Sequence, residues 1–380
     1  GLGPKATDNL LDWLMEDFTN GYDRLPFKWK QLTNLKFKDT ANKGVICISG
    51  KLKSYKTKAV AKTLLEKGYT VVGTVRSTKK EDEVIKTLNS NSVSIENLSF
   101  THLDLSSDKG WDSALSNCNY VMHVASPFTV ENPKNEADML GPAVDGTLRV
   151  LKAAKKNGVK RVVLTSSTVA IMGGKKTGTI TPEDWTDLNS KNISTYFKSK
   201  TLAEKAAWDF INNQSGDQSL ELATINPGGV FGPPLGDNLS GASMSMMVKF
   251  LAGKIPMVPN ASFPMVDVRD VAYLHVAALT EPKAANQRFI ATEKIGRSFQ
   301  SICQLLIDNG YKGPSTKLAP NFMLKFLSIF DREAKGMLAM LDMNLSADNS
   351  KTMEVFNWKP IPFEKTLLET AVAVTKITSH

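Results

Sequence analysis

Short apolar runs alternate with helix-forming stretches from residue 44 to residue 225, and this alternation constrains the fold most. The apolar runs, typical of buried parallel strands, cover residues 45–48, 69–75, 98–103, 120–124, 161–165 and 220–225. The stretches between them predict helices at residues 58–67, 84–88, 112–115, 143–155 and 196–212. This β-α-β order predicts an α/β fold, a doubly wound parallel sheet of the Rossmann type. Ligands of such sheets bind at the carboxyl ends of the strands.

The chain is 380 residues long, and its pattern predicts three regions. Residues 1–43 precede the first strand and form an N-terminal extension. Residues 44–231 form a domain of the dinucleotide-binding type. Met-rich and Pro-rich segments then replace the alternation, so residues 232–380 are predicted to be mainly a smaller substrate cap, with segments that return to the Rossmann core.

Composition excludes several classes of protein. No apolar run approaches the roughly 18 residues that span a bilayer. The three cysteines form no pattern and the four histidines lack metal-ligand spacing, so we predict no disulfide and no metal site. The net charge of +9 comes from lysines spread along the whole chain, which indicates a generally basic surface rather than a nucleic-acid site. Basic composition also suits the mitochondrial matrix, with the cytoplasm as the alternative location.

The N-terminal extension is unusually aromatic. Residues 10–18 place apolar side chains on one face of a short predicted helix, and Trp13, Phe18, Phe27 and Trp29 add large apolar surface. An unattached tail rarely carries such residues. Two alternatives follow: the extension packs on the body of the protein, or it is an arm that docks a protein partner.

A tyrosine and a lysine lie one helical turn apart near the end of the alternating region. Tyr196 and Lys200 are separated by four residues, so they share one face of the predicted helix. Ser166 and Ser167 end an apolar strand about thirty residues earlier. A phenol, an ammonium and a hydroxyl at one sheet edge are suited to proton transfer onto a carbonyl oxygen.

A series of short matches in order, from Gly44 to about Val372, resembles the extended short-chain dehydrogenases/reductases, with most similarity to the dihydroflavonol-reductase-like and aldehyde-reductase branch. The matches are Leu-Leu-Glu-Lys-Gly-Tyr-Thr-Val (64–71), Gly-Thr-Val-Arg-Ser (73–77), Leu-Asp-Leu (103–105), His-Val-Ala-Ser-Pro-Phe (123–128), Val-Asp-Gly-Thr (144–147), Arg-Val-Val-Leu-Thr-Ser-Ser (161–167), Tyr-Phe-Lys-Ser-Lys-Thr-Leu-Ala-Glu (196–204), Asn-Pro-Gly-Gly-Val-Phe-Gly-Pro (226–233) and Val-Asp-Val-Arg-Asp-Val-Ala (266–272). Each match alone is weak, but their order over most of the chain is specific.

The resemblance implies a catalytic role for three residues. Tyr196 would donate a proton to the carbonyl oxygen, and Lys200 would lower the pKa of the phenol and bind the nicotinamide ribose. Ser167 would hydrogen-bond the carbonyl oxygen, since the family pattern favours it over Ser166.

The resemblance also implies a set of residues that bind NADP(H). Arg76 follows the second strand, where a basic residue suits the ribose 2′-phosphate and an acidic one would suit NAD. The cofactor-binding positions carried over from the family are Gly50, Arg76, Asp104, Leu105, Ala125, Ser126, Lys200, Pro227 and Val230.

The turn after the first strand departs from the family. It contains Gly50-Lys-Leu-Lys53-Ser-Tyr-Lys56, with lysines at the later glycine positions of a G-x-x-G-x-x-G pattern and about one extra residue. Such glycines let the backbone approach the pyrophosphate. Three outcomes are open: the loop bulges outward and admits NADPH, it fills the groove, or it binds another anion or a partner.

Two hypotheses for the function follow. The first is an oxidoreductase that uses NADPH to reduce a small aldehyde or ketone. The alternative is a cofactor-free structural or assembly subunit, for example of a mitochondrial complex, built on a reductase fold. Two smaller departures from the family, Arg149 in place of asparagine and Asn357-Trp358 in place of Gly-Trp, accompany the altered turn.

Overall fold

The computed structural model describes residues 43–50, 54–124, 133, 135–191, 193–216 and 219–379. The predicted N-terminal helix and its aromatic residues lie outside this range, so their docking stays a prediction. Among the described residues, no helix is both long enough and apolar enough to cross a membrane.

Thirteen strands run through the described part of the chain. They are β1 (Val45–Ser49), β2 (Thr70–Val75), β3 (Leu98–His102), β4 (Tyr120–His123), β5 (Arg161–Thr165), β6 (Thr177–Ile180), β7 (Glu221–Pro227), β8 (Gly229–Phe231), β9 (Ser262–Phe263), β10 (Met265–Asp267), β11 (Gln287–Ala291), β12 (Arg297–Ser298) and β13 (Asn344–Ala347). The central sheet has seven parallel strands in the order β11-β7-β5-β4-β1-β2-β3. The predicted doubly wound parallel sheet is confirmed.

The helices of the described residues fill the connections. They are α1 (Tyr55–Glu66), α2 (Thr78–Ser90), α3 (Trp111–Leu115), α4 (Ala137–Lys156), α5 (Val169–Met172), α6 (Thr195–Asn212), α7 (Ala242–Leu251), α8 (Val268–Thr280), α9 (Phe299–Asp308), α10 (Asn321–Leu327), α11 (Arg332–Met337), α12 (Ser350–Phe356) and α13 (Phe363–Thr378). Short 3₁₀ turns cover Pro282–Ala284 and Leu338–Met340.

The two faces of the sheet bury different helices. Along β1, Ile46 and Ile48 face one side and Cys47 the other, as the pleat requires. The Ile46 side packs against α1 and α8, and the Cys47 side packs against α3, α4 and α6. The strands β1, β4, β5 and β7 are therefore buried on both faces, as their continuous apolar sequences predicted. The prediction is wrong for β3, whose residues are half-buried or exposed because it is an edge strand of the sheet.

Three helices begin several residues earlier than the sequence pattern predicted. Helix α2 begins at Thr78 instead of residue 84. Helix α1 begins at Tyr55 instead of residue 58, because the Ser54 hydroxyl accepts a hydrogen bond from the Thr57 N–H at 3.3 Å and caps the helix. Helix α4 begins at Ala137 instead of residue 143 and keeps Pro142 inside it.

The C-terminal part of the chain returns to the core in two places. Strand β11 pairs with β7 and becomes an edge of the central sheet. A second sheet, in the order β12-β9-β13-β6, brings Met343 and Leu345 into a small apolar cluster with Val169 and Phe197. This cluster lies against the start of α6, the helix that carries Tyr196 and Lys200.

A buried carboxyl ties the C-terminal segment to α8. The Asp270 carboxylate accepts a hydrogen bond from the Ile361 N–H at 2.8 Å. Desolvation of this buried side chain raises its pKa to about 6. Since the folded protein holds the proton more tightly than the unfolded chain, this group destabilises the fold increasingly as the pH rises from about 4 through about 6.

We therefore expect Asp270→Asn to raise the free energy of unfolding at pH 7 by about 1–3 kcal/mol and to change it little at pH 4. The amide oxygen can still accept from Ile361, but no charge is buried. Urea unfolding at the two pH values measures the difference. Asp348→Asn is the control, and it should lower the free energy of unfolding at pH 7, because hydrogen bonds from Ser350 lower the pKa of Asp348. An equal effect of Asp270→Asn at both pH values would contradict this account.

Candidate active site

The carboxyl ends of β1, β4, β5 and β7 meet at one edge of the central sheet. The Ser49 hydroxyl lies 3.2 Å from His123 Nδ1, and the Thr168 N–H donates to the Pro227 carbonyl at 2.9 Å. Gly50 follows β1 at this edge, and its N–H donates to the Thr74 hydroxyl at 3.4 Å. The structure thus brings the predicted site residues after β1, β5 and β7 to the edge where doubly wound sheets bind ligands.

Tyr196 lies in the first turn of α6, beside the end of β5. Ser194 caps the helix, since its hydroxyl accepts from the Phe197 N–H at 3.3 Å. Burial raises the pKa of Tyr196 to about 12, and a hydrogen bond with Ser167 acts in the opposite direction. Two of the three predicted catalytic side chains are therefore in direct contact, and the phenol is protonated at neutral pH.

Lys200 lies one turn further along α6. Its buried ammonium donates to the Thr165 carbonyl at 3.2 Å, at the end of β5. Desolvation, together with repulsion from Lys56, lowers the pKa of Lys200 to about 8, and attraction from Glu204 opposes this. The lysine is still mostly charged at neutral pH, but a modest change in its surroundings changes its protonation.

Two buried histidines at this edge are neutral. His275 Nδ1–H donates to the Val271 carbonyl at 2.7 Å, so its Nε2 accepts from the Thr165 hydroxyl at 2.6 Å. Burial lowers the pKa of His275 to about 4. Burial, with repulsion from Lys200, lowers the pKa of His123 to about 3. Among the groups described here, positive charge at the edge is carried by lysines.

The lysines of α1 take different directions. Lys58 is buried, and its ammonium donates to Glu83 at 3.3 Å and to the Thr87 hydroxyl at 3.0 Å. Lys56 is half-buried, has no ion-pair or hydrogen-bond partner among the described residues, and has a pKa lowered to about 8 by desolvation. Lys51 and Lys53 lie outside the described residues. Of Lys56 and Lys58, only Lys56 therefore has an ammonium group available to bind an anion at the carboxyl ends of the strands.

The predicted adenosine end of the groove lies beyond β2 and β3. Arg76 is exposed after β2, and hydrogen bonds from Ser106, with a smaller contribution from Arg76, lower the pKa of Asp104. Arg149 donates to the Leu105 carbonyl and to Asp108. Arg149, which replaces the family's asparagine, thus holds in place the loop that carries Asp104 and Leu105.

The loop after β7 packs closely. The buried Tyr55 hydroxyl donates to the Val230 carbonyl at 2.7 Å, which joins the start of α1 to β8. A Cβ at Gly228 would lie 2.2 Å from the Pro264 carbonyl oxygen, so this close approach requires glycine. Pro227 and Val230 therefore hold defined positions at the site edge. Ala125 and Ser126, the other predicted cofactor residues, lie outside the described residues.

The sequence patterns did not assign a role to Glu204, which is fully buried one turn after Lys200. Its carboxylate accepts hydrogen bonds from Ser166, Asn226 (2.8 Å), Thr224 (3.3 Å), Trp208 (3.3 Å) and Arg288 (2.7 Å). The spacing 196, 200, 204 on one helix face was the available signal.

Residues 55–291 match the NAD dependent epimerase/dehydratase family. The chain belongs to this family. The cinnamoyl-CoA reductase of Medicago truncatula is 35% identical over 261 residues, 66% of this chain and 76% of that protein. The NADPH-dependent methylglyoxal reductase of Saccharomyces cerevisiae is 31% identical over 252 residues, 60% of this chain and 72% of that protein.

A solved structure is also similar. Gre2 of Candida albicans, crystallised in complex with NADPH, superimposes with a TM-score of 0.70 at 30% sequence identity, over 88% of this chain and 99% of that one. The family match runs from α1 to β11, so it includes the helix with Tyr196, Lys200 and Glu204.

The desolvated charge of Lys56 yields a stability prediction. A lysine whose folded pKa is lowered destabilises the fold below that pKa, and the penalty is relieved as the pH rises from about 8 toward its ordinary value of 10.5. We expect Lys56→Met to raise the free energy of unfolding at pH 7 by about 1–2 kcal/mol and to flatten its rise at alkaline pH. Lys62→Met, on the same helix and paired with Glu66, is the control. A loss of stability in Lys56→Met would show that Lys56 is already neutralised.

Proposed function

We propose that this protein is an NADPH-dependent reductase of a small aldehyde or ketone, and that Ser167, Tyr196 and Lys200 perform the proton transfer. The observation that carries the proposal is the hydrogen bond between Ser167 and Tyr196, with Lys200 on the same helix and at the same sheet edge. The relatives support the cofactor and the reaction class, since one is named an NADPH-dependent methylglyoxal reductase and another was solved with NADPH.

The charges at the strand ends fit an anionic dinucleotide. Lys56, in the first turn of α1, has no ion-pair or hydrogen-bond partner in the part of the chain that the structure describes, and that turn contains no acidic residue. A helix N-terminus favours an anion. Arg76 is exposed where a 2′-phosphate would be bound. We assign the pyrophosphate to Gly50 and Lys56, with Lys56 supplying charge in place of backbone contacts.

The remaining cofactor assignments follow the family positions. The adenosine would lie at Arg76, Asp104 and Leu105, and the nicotinamide end would lie at Lys200, Pro227 and Val230. Ala125 and Ser126 stay predictions for the segment after β4. When bound, NADPH supplies the hydride.

The protein supplies orientation and a proton. Tyr196 is protonated at neutral pH and donates its hydroxyl proton to the carbonyl oxygen of the substrate. Ser167 hydrogen-bonds the same oxygen, and the Lys200 ammonium stabilises the tyrosinate that forms. Since Lys200 loses its charge above about pH 8, reduction should slow at alkaline pH.

The substrate side is apolar. Ile193, Phe263 and Met340 pack with Tyr196 in the small cluster between α6 and the second sheet. In the predicted cap region, residues 232–380, the large apolar side chains differ in exposure. Met244, Met247 and Phe250 are buried in the main core, while Phe322 and Phe326 are exposed. The apolar residues that pack against the same cluster as Tyr196 therefore favour a compact carbonyl compound over a charged one.

The alternative, a cofactor-free assembly subunit, gains no support from the described residues. Two sequence features favoured this alternative: the altered glycine turn and the N-terminal extension. Residues 51–53 of the turn and residues 1–42 of the extension lie outside the described residues. The protein partner and the mitochondrial location stay predictions.

Tyr196→Phe tests the proposed chemistry. It removes the proton donor and leaves the groove unchanged, so we expect kcat for methylglyoxal to fall by about 10²–10⁴-fold while the Kd for NADPH stays nearly constant. Loss of NADPH absorbance measures the rate, and fluorescence titration measures binding. Tyr273→Phe is the matched control, since that hydroxyl donates to the Phe356 carbonyl away from the site. A wild-type protein that binds NADPH but reduces no small aldehyde or ketone would overturn the proposal, as would full activity in Tyr196→Phe.

A further inference from the structure

We propose that Glu204 is a positioning residue of the active site, whose buried carboxylate holds the end of β5 against α6 and supplies the negative charge that balances Lys200. The kinetic part of this proposal rests on the proposed reductase function; the electrostatic part does not.

Glu204 holds the segment that carries Ser167. Glu204 accepts hydrogen bonds from Ser166 and from Asn226 Nδ2, the latter at 2.8 Å. The same Asn226 amide donates to the Ser167 carbonyl at 3.2 Å. Both contacts fix the backbone on either side of the Ser167 hydroxyl, so the carboxylate sets the position of Ser167 relative to Tyr196.

Glu204 is itself held rigidly. Arg288 on β11 donates to it at 2.7 Å and donates also to the Pro182 carbonyl and, at 2.9 Å, to the Asp184 carbonyl. The guanidinium lies 3.8 Å from the ring centre of Trp185. Glu204 and Arg288 are both largely buried, with side-chain exposures of 1% and 12%. The carboxylate therefore cannot move without breaking its contacts to β7, to β11 and to Ser166, which follows β5.

The charge of Glu204 has a location that stability does not explain. A buried ion pair contributes little net stability compared with apolar residues of similar volume, so stability alone gives a weak reason for Glu204. Its location gives a stronger one. The charged and titratable groups that interact with Lys200 are Lys56 from α1, His123 from β4 and Glu204 from α6. Glu204 is the carboxylate of this set, and it opposes the repulsion from Lys56.

Glu204→Gln removes the charge and keeps the size of the side chain. We expect the pKa of Lys200 to fall by about 1 unit in this variant. The measurement is NMR of ¹³Cε-labelled lysine across a pH titration, with the Lys200 resonance assigned by its loss in Lys200→Met. This readout needs neither cofactor nor activity.

Glu221→Gln is the matched control. It breaks another ion pair between neighbouring strands, in which the buried Arg161 donates to the partly buried Glu221 at 2.7 Å, far from the site contacts. We expect it to lower stability and to leave the titration of Lys200 unchanged. Glu204→Asp, which keeps the charge, should return the pKa of Lys200 toward the wild-type value. No shift in Glu204→Gln, or an equal shift in Glu221→Gln, would overturn the electrostatic role.

Ser166→Ala carries the test if Glu204→Gln does not fold. It keeps the carboxylate but removes one of its anchors, so we expect kcat to fall at least about tenfold with the KM for NADPH and the pKa of Lys200 unchanged. An unchanged kcat would overturn the positioning role. A wild-type protein without reductase activity would defeat the proposed function, while the Lys200 titration would still decide the role of Glu204.

Discussion

Parallel strands that end at one edge are the constraint on which the site depends. Register places Ser49 beside His123 and Thr165 beside Ile225, so side chains from β1, β4, β5 and β7 share one small space. Helix α6 crosses this edge and adds Tyr196 and Lys200. No single element forms the site. Each contact exists because the sheet fixes where the neighbouring strand ends.

Crowding at that edge has an electrostatic consequence. Lys56 and Lys200 repel each other in a partly desolvated space, and both have pKa values lowered to about 8. The neighbouring histidines are neutral, and the Glu204 carboxylate already accepts hydrogen bonds from Arg288 and from four other polar groups. An anionic ligand at the strand ends would relieve this repulsion, which is why the lysine-rich turn is compatible with a dinucleotide. Binding of an anion would therefore reduce the electrostatic repulsion between the two ammonium groups.

The sequence predicted the sheet because buried parallel strands are apolar over their whole length, as in residues 45–48 and 161–165. It also predicted that Ser167 and Tyr196 lie close together. Two features were enough for that prediction: Ser167 follows the end of a strand, and Tyr196 and Lys200 have helical spacing. The direction of Lys58 could not be predicted, because its partners Glu83 and Thr87 come from the next helix. The role of Glu204 was hidden for the same reason: Ser166, Asn226 and Arg288 approach it only after the strands pair.

Unfolding in the presence of NADPH tests the central claim most directly. Binding to the folded chain at about 100 times the Kd should add about 2.7 kcal/mol to the free energy of unfolding. NADH at the same concentration should add less, because Arg76 has no 2′-phosphate to contact. The account predicts this order for the wild-type chain with its lysines in place. No stabilisation by NADPH at any concentration would contradict it and would leave the strand ends as a site for a different anion.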